Sequence, residues 1–351
     1  MSTLSFDQDK TLTFLTDLLN IPSPTGYTVE AINYVHQAFT ALELPNFDLS
    51  ITPKGALLGV LRGESTVAPR AVTAHVDTLG MMVKEIKTSG RLKVTALGGI
   101  DWHGVEFEGV TVRTHTDQRY RGTCLLHNAS VHVNRGLRTA DRTEHSMEIR
   151  LDERVSNAKE VRALGIEIGD FIFLDPRVEV NPNGFIRSRH LDDKLSVACI
   201  YGALLALKAS AQIPAQDTYI LIANYEEVGH GGAQGFPDDL EELVAIDMAA
   251  VGNGQNSDEF SVTLCVKDSG GPYHFGLNNK LRRIADNHEI DLKIDIYPYY
   301  ASDGTAYWRA GGAARVALIG PGVESSHGYE RSHQDAIDAS VQLIAHYLLD
   351  A

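Results

Sequence analysis

An α/β fold, with a central mixed sheet flanked by helices and a small β-barrel inserted into it, is what this sequence predicts. Three observations lead there. Apolar runs of strand length alternate with helical repeats towards both ends of the chain. The stretch between them carries short strand-like pieces and almost no helix. The α/β pattern then resumes.

The elements follow in order. Leu12, Leu15, Leu18 and Leu19 recur at helical spacing near the start, as Ile337, Val341, Ile344 and Leu348 do near the end. Between them lie AVTAHV (71–76), YILIANY (219–225), LVAID (243–247), FSVTLCV (260–266), LKIDIY (292–297) and RVALI (315–319), each the length of a strand. KLSVACIYGALLALK (194–208) is a long apolar helix pattern, so helices are expected on both sheet faces. From about 84 to 186 the texture changes to LKVTAL, VTVRTHT, YRGTCLL, MEIRLD and DFIFLDPRVEV separated by turn residues, with one short helix at AKEVRAL (158–164). The expected organisation is one domain built from 1–83 and 187–351, interrupted by a β-domain at 84–186.

Charge and composition narrow the function. Of 351 residues, 31 are Lys or Arg and 46 Asp or Glu, a formal charge of −15. That balance argues against nucleic acid or an anionic membrane as partner, because phosphates need clustered cations. Cys124, Cys199 and Cys265 give neither a disulfide framework nor a Cys-x-x-Cys metal spacing. The opening MSTLSFDQDKTLTFL does not read as a signal peptide, and no run reaches the roughly 18 apolar residues of a membrane span. A cytoplasmic protein is expected.

Chemistry-bearing residues gather where predicted strands end, the place where open α/β sheets keep their sites. In AHVDTLG (74–80), His75 and Asp77 leave the same strand face. The imidazole can ligate a metal while the carboxylate fixes its tautomer. RHLDDKLS (189–196) sets Asp192 and Asp193 ahead of a helix, where carboxylates also serve as N-caps; for Asp193 capping is the expected role. ANYEEVGHGGAQG (223–235) ends a strand in Glu226 and Glu227 before a glycine-rich turn. Adjacent carboxylates repel unless a cation lies beside them, and one can ligate while the other acts as general base. Asp247 closes the apolar run of AIDMAA (245–250), where an acid must be paired or ligating, and SSHGYERSH (325–333) carries His327 in a loop.

Each motif alone also fits a helix cap, a solvated strand end or a loop histidine. Together, His75, Asp192, Glu227, Asp247 and His327 are five oxygen and imidazole donors without sulfur. That is too many for one tetrahedral zinc and suits two divalent ions sharing a carboxylate. Zinc, cobalt and manganese all accept such donors.

The order His-x-Asp, Asp-Asp, Glu-Glu-Val-Gly, Asp, His resembles metallopeptidase family 42, the tetrahedral and glutamyl aminopeptidases among the exopeptidases with two cocatalytic metals. LLNIPSPTGY (18–27), GIEIGDFIFLD (165–175) and SDGTAYWRAG (302–311) extend the likeness over nearly the whole chain. The resemblance implies a zinc-exopeptidase-like fold and a bridging Asp192. It places Glu227 and His327 on one ion and His75 and Asp247 on the other. Glu226 becomes the general base, Asp77 orients His75, and the peptide bond after Asp192 is cis. It also implies short peptide substrates, dimerisation through the β-domain and six dimers building a tetrahedral dodecamer. The chain departs from the family pattern at Thr78, where many relatives carry Glu, and in the residues after His327.

That last loop is similar to a branch of the family associated with an acetylated glutamine-dipeptide osmolyte. The alternative substrate is therefore an acetylated or amidated dipeptide, cut by a deacylase or amidohydrolase with the same two ions. Arg331 and His333 would then face it, or else serve as a solvated loop and helix cap. A remote alternative is a glycosidase using Glu226 and Glu227, which needs carboxyls roughly 5–9.5 Å apart across a sugar. A non-catalytic shell protein with a decayed site is opposed by the presence of every expected ligand and the base.

Overall fold

In the computed structural model, which describes residues 3–351, a thirteen-stranded mixed sheet runs through the molecule. Its centre is parallel, with Gln216–Ala223, Ser65–His75, Glu242–Ile246 and Arg315–Glu324 side by side in that order. These are the apolar runs of the sequence. Arg70–His75 and Glu242–Ile246 are buried throughout, as strands covered on both faces must be. The antiparallel hairpin Phe47–Ile51 and Leu57–Leu61 extends one edge. On the other side Glu330–His333, Phe185–Ser188 and Glu179–Val180 continue the sheet.

The helix Leu191–Ser210 is buried from Leu191 to Leu207. A helix that is largely apolar all round belongs inside, and this one packs against the sheet, the helix Gln8–Leu19 and the helix Gln334–Leu349. Leu15, Leu18, Leu19, Ile337, Val341, Ile344 and Leu348 all reach this core, as their spacing predicts. Leu12 packs at its margin.

Six strands close a barrel in the order Gly80–Ile86, Leu92–Leu97, Met147–Leu151, Arg119–Leu126, Gly109–Arg113 and Phe171–Leu174. Alternation fills it: Val110 and Val112 point inward, and Thr111 and Arg113 outward. The barrel begins at Gly80 and ends at Leu174, while Glu179–Val180 and Phe185–Ser188 belong to the main sheet. The barrel and the segment 84–186 thus overlap without coinciding. Among the described residues no helix is long and apolar enough to cross a membrane, and all three cysteines are buried free thiols.

Candidate active site

Three adjacent parallel strands deliver acids and an imidazole to one place. His75 ends Ser65–His75, Glu226 and Glu227 form a single 3-10 turn just beyond Gln216–Ala223, and Asp247 follows Glu242–Ile246. Asp192 comes from the first turn of the central helix, and His327 from the loop between Arg315–Glu324 and Glu330–His333. The backbone is unusual here. The Asp192–Asp193 bond is cis, and His190, Tyr225, Ser325 and His327 all take positive φ. For residues with side chains that conformation costs about 1–3 kcal/mol each, and it gathers at functional sites.

Asp192 is the hub. Its Oδ1 lies 3.3 Å from His75 Nε2, and its Oδ2 lies 3.5 Å from His327 Nε2. Both imidazoles are held from behind through Nδ1, which donates to the Asp77 carbonyl at 2.9 Å in His75 and to the Gly99 carbonyl at 2.8 Å in His327. That leaves each Nε2 facing the cluster, the arrangement of a metal-ligating histidine. Glu226 Oε2 is 3.7 Å from His75 Nε2, and Glu227 Oε2 is 3.6 Å from His327 Nε2. Two donor groups result, one of His75, Asp192 and Asp247, the other of Asp192, Glu227 and His327. Within each, the donor atoms lie inside 4.8 Å of one another.

Charge is the site's dominant physical problem. Burial, followed by the neighbouring acids, pushes Asp247 up to about 7 and pushes Glu226 and Glu227 well above the usual carboxylate range. Burial acts the same way on Asp192, but the two histidines outweigh it and hold that carboxyl low. Burial pulls the His75 ring down, yet Asp192 and Asp77 outweigh it and hold the ring's proton well above its usual range. Lys194, the buried ammonium next in sequence, donates to the Leu18 and Ile21 carbonyls and offers the acids nothing. Glu227 Oε1 is buried with no partner. Paired histidine and carboxylate donors, a surplus of buried negative charge and an orphaned oxygen together fit divalent cations.

A surrounding tier fixes the donors. The Asp77 carboxylate accepts from Thr25 Oγ1 at 2.7 Å and from the Glu226 and Glu227 amides at 3.1 and 3.4 Å. Its own oxygen lies 3.5 Å from His75 Nδ1, so Asp77 steadies the histidine mainly through its backbone carbonyl and grips the Glu226–Glu227 turn with its side chain. Asp193 corrects the sequence reading. It caps no helix; its Oδ2 accepts from the His75 amide at 3.2 Å, deep in the interior. Helical geometry begins only after Asp193, a position from which a carboxylate could cap, but its Oδ2 turns to the His75 amide and its Oδ1 has no partner.

Two acids escaped the sequence reading. Glu330 accepts from the Asp192 and His327 amides, both at 3.0 Å. Asp303 accepts from Gly232 N and thereby seats the glycine turn after Glu227. The spacing His327-x-x-Glu330 was the available signal for the first; nothing local marked the second. His333 caps the last helix, its Nδ1 accepting from Asp335 N at 3.1 Å, and Arg331 pairs with Glu259 at 2.6 Å. A close approach also shapes the site: at Gly320 a Cβ would lie 1.8 Å from the Asp247 carbonyl oxygen, so only glycine lets these strands meet.

Asp192, Glu227, Asp247 and His327, with Glu226, line a cavity of about 890 Å³. The barrel supplies Gly99 to Asp101, and the main domain supplies Met248 to Gln255 and Tyr297 to Ala301.

Comparison with known proteins completes the picture. The sequence profile of the M42 glutamyl aminopeptidase family matches residues 55–343. A Bacillus subtilis protein, provisionally named aminopeptidase YhfE, is 43% identical over 97% of both chains. The glutamyl aminopeptidase of Lactococcus lactis is 26% identical over 94% of this chain and 90% of its own. Among solved structures, the TET1 peptidase of Pyrococcus horikoshii, which can assemble into a tetrahedron or a large octahedral shell, superposes with a TM-score of 0.82. It does so at 19% identity, over 97% of this chain and all of its own. The chain belongs to the M42 glutamyl aminopeptidase family and is an aminopeptidase of that family.

Proposed function

We propose that this M42 aminopeptidase works with two divalent ions. His75, Asp192 and Asp247 would hold one, and Asp192, Glu227 and His327 the other. The observation that carries the reading is the Asp192 carboxylate, whose two oxygens face two different histidines. Bound there, zinc, cobalt or manganese supplies Lewis acidity to the scissile carbonyl and to water. The chain's own groups do the rest. Glu226 belongs to neither donor group and is the general base, taking a proton from the attacking water and returning it to the leaving amine. Asp77 holds Glu226 in place through its amide, and Glu330 holds Asp192 and His327 through theirs.

The substrates are short peptides with a free N-terminus, and the barrel carries dimer contacts that build a homo-oligomer, a tetrahedral dodecamer in the fullest form. The shells formed by the Pyrococcus TET1 neighbour support that assembly. A cytoplasmic location belongs to the same proposal, and three free buried thiols accord with a reducing compartment.

The test is to incubate the protein with free-amine, N-acetylated and C-amidated short peptides, with chelator and with metal restored, measuring bound metal in parallel. The expected result is stepwise release of N-terminal residues from free-amine peptides, lost on chelation and regained with about two ions per chain. Cleavage confined to acetylated or amidated dipeptides would move the function to a specialised amidohydrolase. Activity indifferent to chelation would remove the metals from the mechanism.

A further inference from the structure

Resting on the aminopeptidase reading above, we propose that the cavity selects peptides with an apolar N-terminal side chain over those with an acidic one. An acidic side chain needs a cation or several free donors to replace its hydration. The cavity lining contains no Lys or Arg. Apart from the metal-site donors and Glu226, its charged lining is Asp101, which would repel an acid. Two nearby cations face elsewhere: Lys54 donates to the His230 carbonyl, and Arg189 holds the Gly104 and Gly328 carbonyls and Glu108. The charge of bound cations is itself met by the acids that face them.

The polar side chains deeper in the wall are engaged by the scaffold, while Asn253 and Tyr299 are exposed and carry no such bond. Gln255 donates its amide protons to Asp295 Oδ1 at 3.0 Å and to the Ile296 carbonyl at 2.8 Å. Tyr300 donates to the Met248 carbonyl at 2.9 Å, and the Tyr297 hydroxyl pairs with Ser257. Apart from those two, what the wall presents is ring and hydrocarbon from Ile100, Pro298, Tyr300 and Ala301, laid over the nearly buried Met248 and Tyr297. Such a surface gains free energy by covering an aliphatic or aromatic side chain and gives an acid nothing in return for its lost water.

The test uses the metal-loaded enzyme and tetrapeptides with Leu, Phe or Glu first, and a second set with Glu in second place. The expected kcat/KM for Leu or Phe exceeds that for Glu by about 100-fold. Calorimetric binding of the same peptides to the Glu226→Gln variant should follow the same order without turnover. Asn253→Lys places a cation at an exposed point of the wall, away from the donors, and should raise the Glu-to-Leu ratio by about tenfold. Equal or faster cleavage of the Glu peptide overturns the proposal. So does a penalty that appears only for Glu in second place, or a ratio unmoved by Asn253→Lys. Cleavage of none of these peptides would instead sink the aminopeptidase reading on which the proposal rests.

Discussion

The barrel interior and the acid cluster around Asp192 are both buried, yet they are stabilised in opposite ways. Inside the barrel Met81, Val83, Val94, Val110, Val112 and Ile149 sit at 0–1% exposure, and every contact there lowers the free energy. In the cluster Asp192, Asp193, Asp247 and Glu330 are buried to within 0–7% exposure, with His75 and His327 as the imidazole partners the structure gives them. Taken without cations, that cluster is a cost the surrounding fold must cover. The barrel is a place where the sequence makes structure; the cluster is a place where structure is consumed to hold chemistry.

Four experiments would break or sharpen this contrast. Glu226→Gln should lower kcat by about 10³-fold with bound metal unchanged, because it removes a proton acceptor and no ligand. Loss of metal together with activity would put Glu226 among the ligands instead. In the barrel, Ile149→Ala should cost about 3 kcal/mol of stability by denaturant unfolding and leave kcat per loaded site near that of the wild type. A matching fall in kcat would show that the two regions are one energetic unit.

Chelation should lower the melting temperature, as cations offset the crowded acids. At 100-fold excess over Kd each ion contributes about 2.7 kcal/mol, and scanning calorimetry with and without chelator reads it. A melting temperature unaffected by chelation would mean the cluster is stable by itself. Finally, Glu330→Gln should weaken metal retention by about 10- to 100-fold through loosened His327 and Asp192 amides. Metal titration with a competing chromophoric chelator measures it, and unchanged retention would reduce Glu330 to a packing role.

The same contrast governs what the sequence could reveal. The parallel strands at 71–76, 219–225, 243–247 and 315–319 were legible because burial on both faces writes itself as unbroken apolar runs. The barrel was legible as short strand-like pieces between turn residues with little helix, of which VTVRTHT supplies the strand Gly109–Arg113. Helices Val29–Thr40 and Phe275–His288 and the hairpin Phe47–Ile51 with Leu57–Leu61 were not singled out, since their polar faces blur the pattern. The five proposed donors stand out by residue type and order. Asp193 did not, because its partner amide on His75 is 118 residues away and local rules see only a helix start. Asp303 lies 71 residues from the glycine it holds, and no local motif foretells such a contact.

The hydrogen bond from His327 Nδ1 to the Gly99 carbonyl makes one imidazole answer to two folding units. The ring belongs to the catalytic sheet, yet the atom that fixes its rotation belongs to the loop leaving a barrel strand. In modular terms, the barrel is not a detachable accessory. A shortened chain that joined 79 to 175 directly could keep the sheet and four of the five donors. It would still release the fifth to turn.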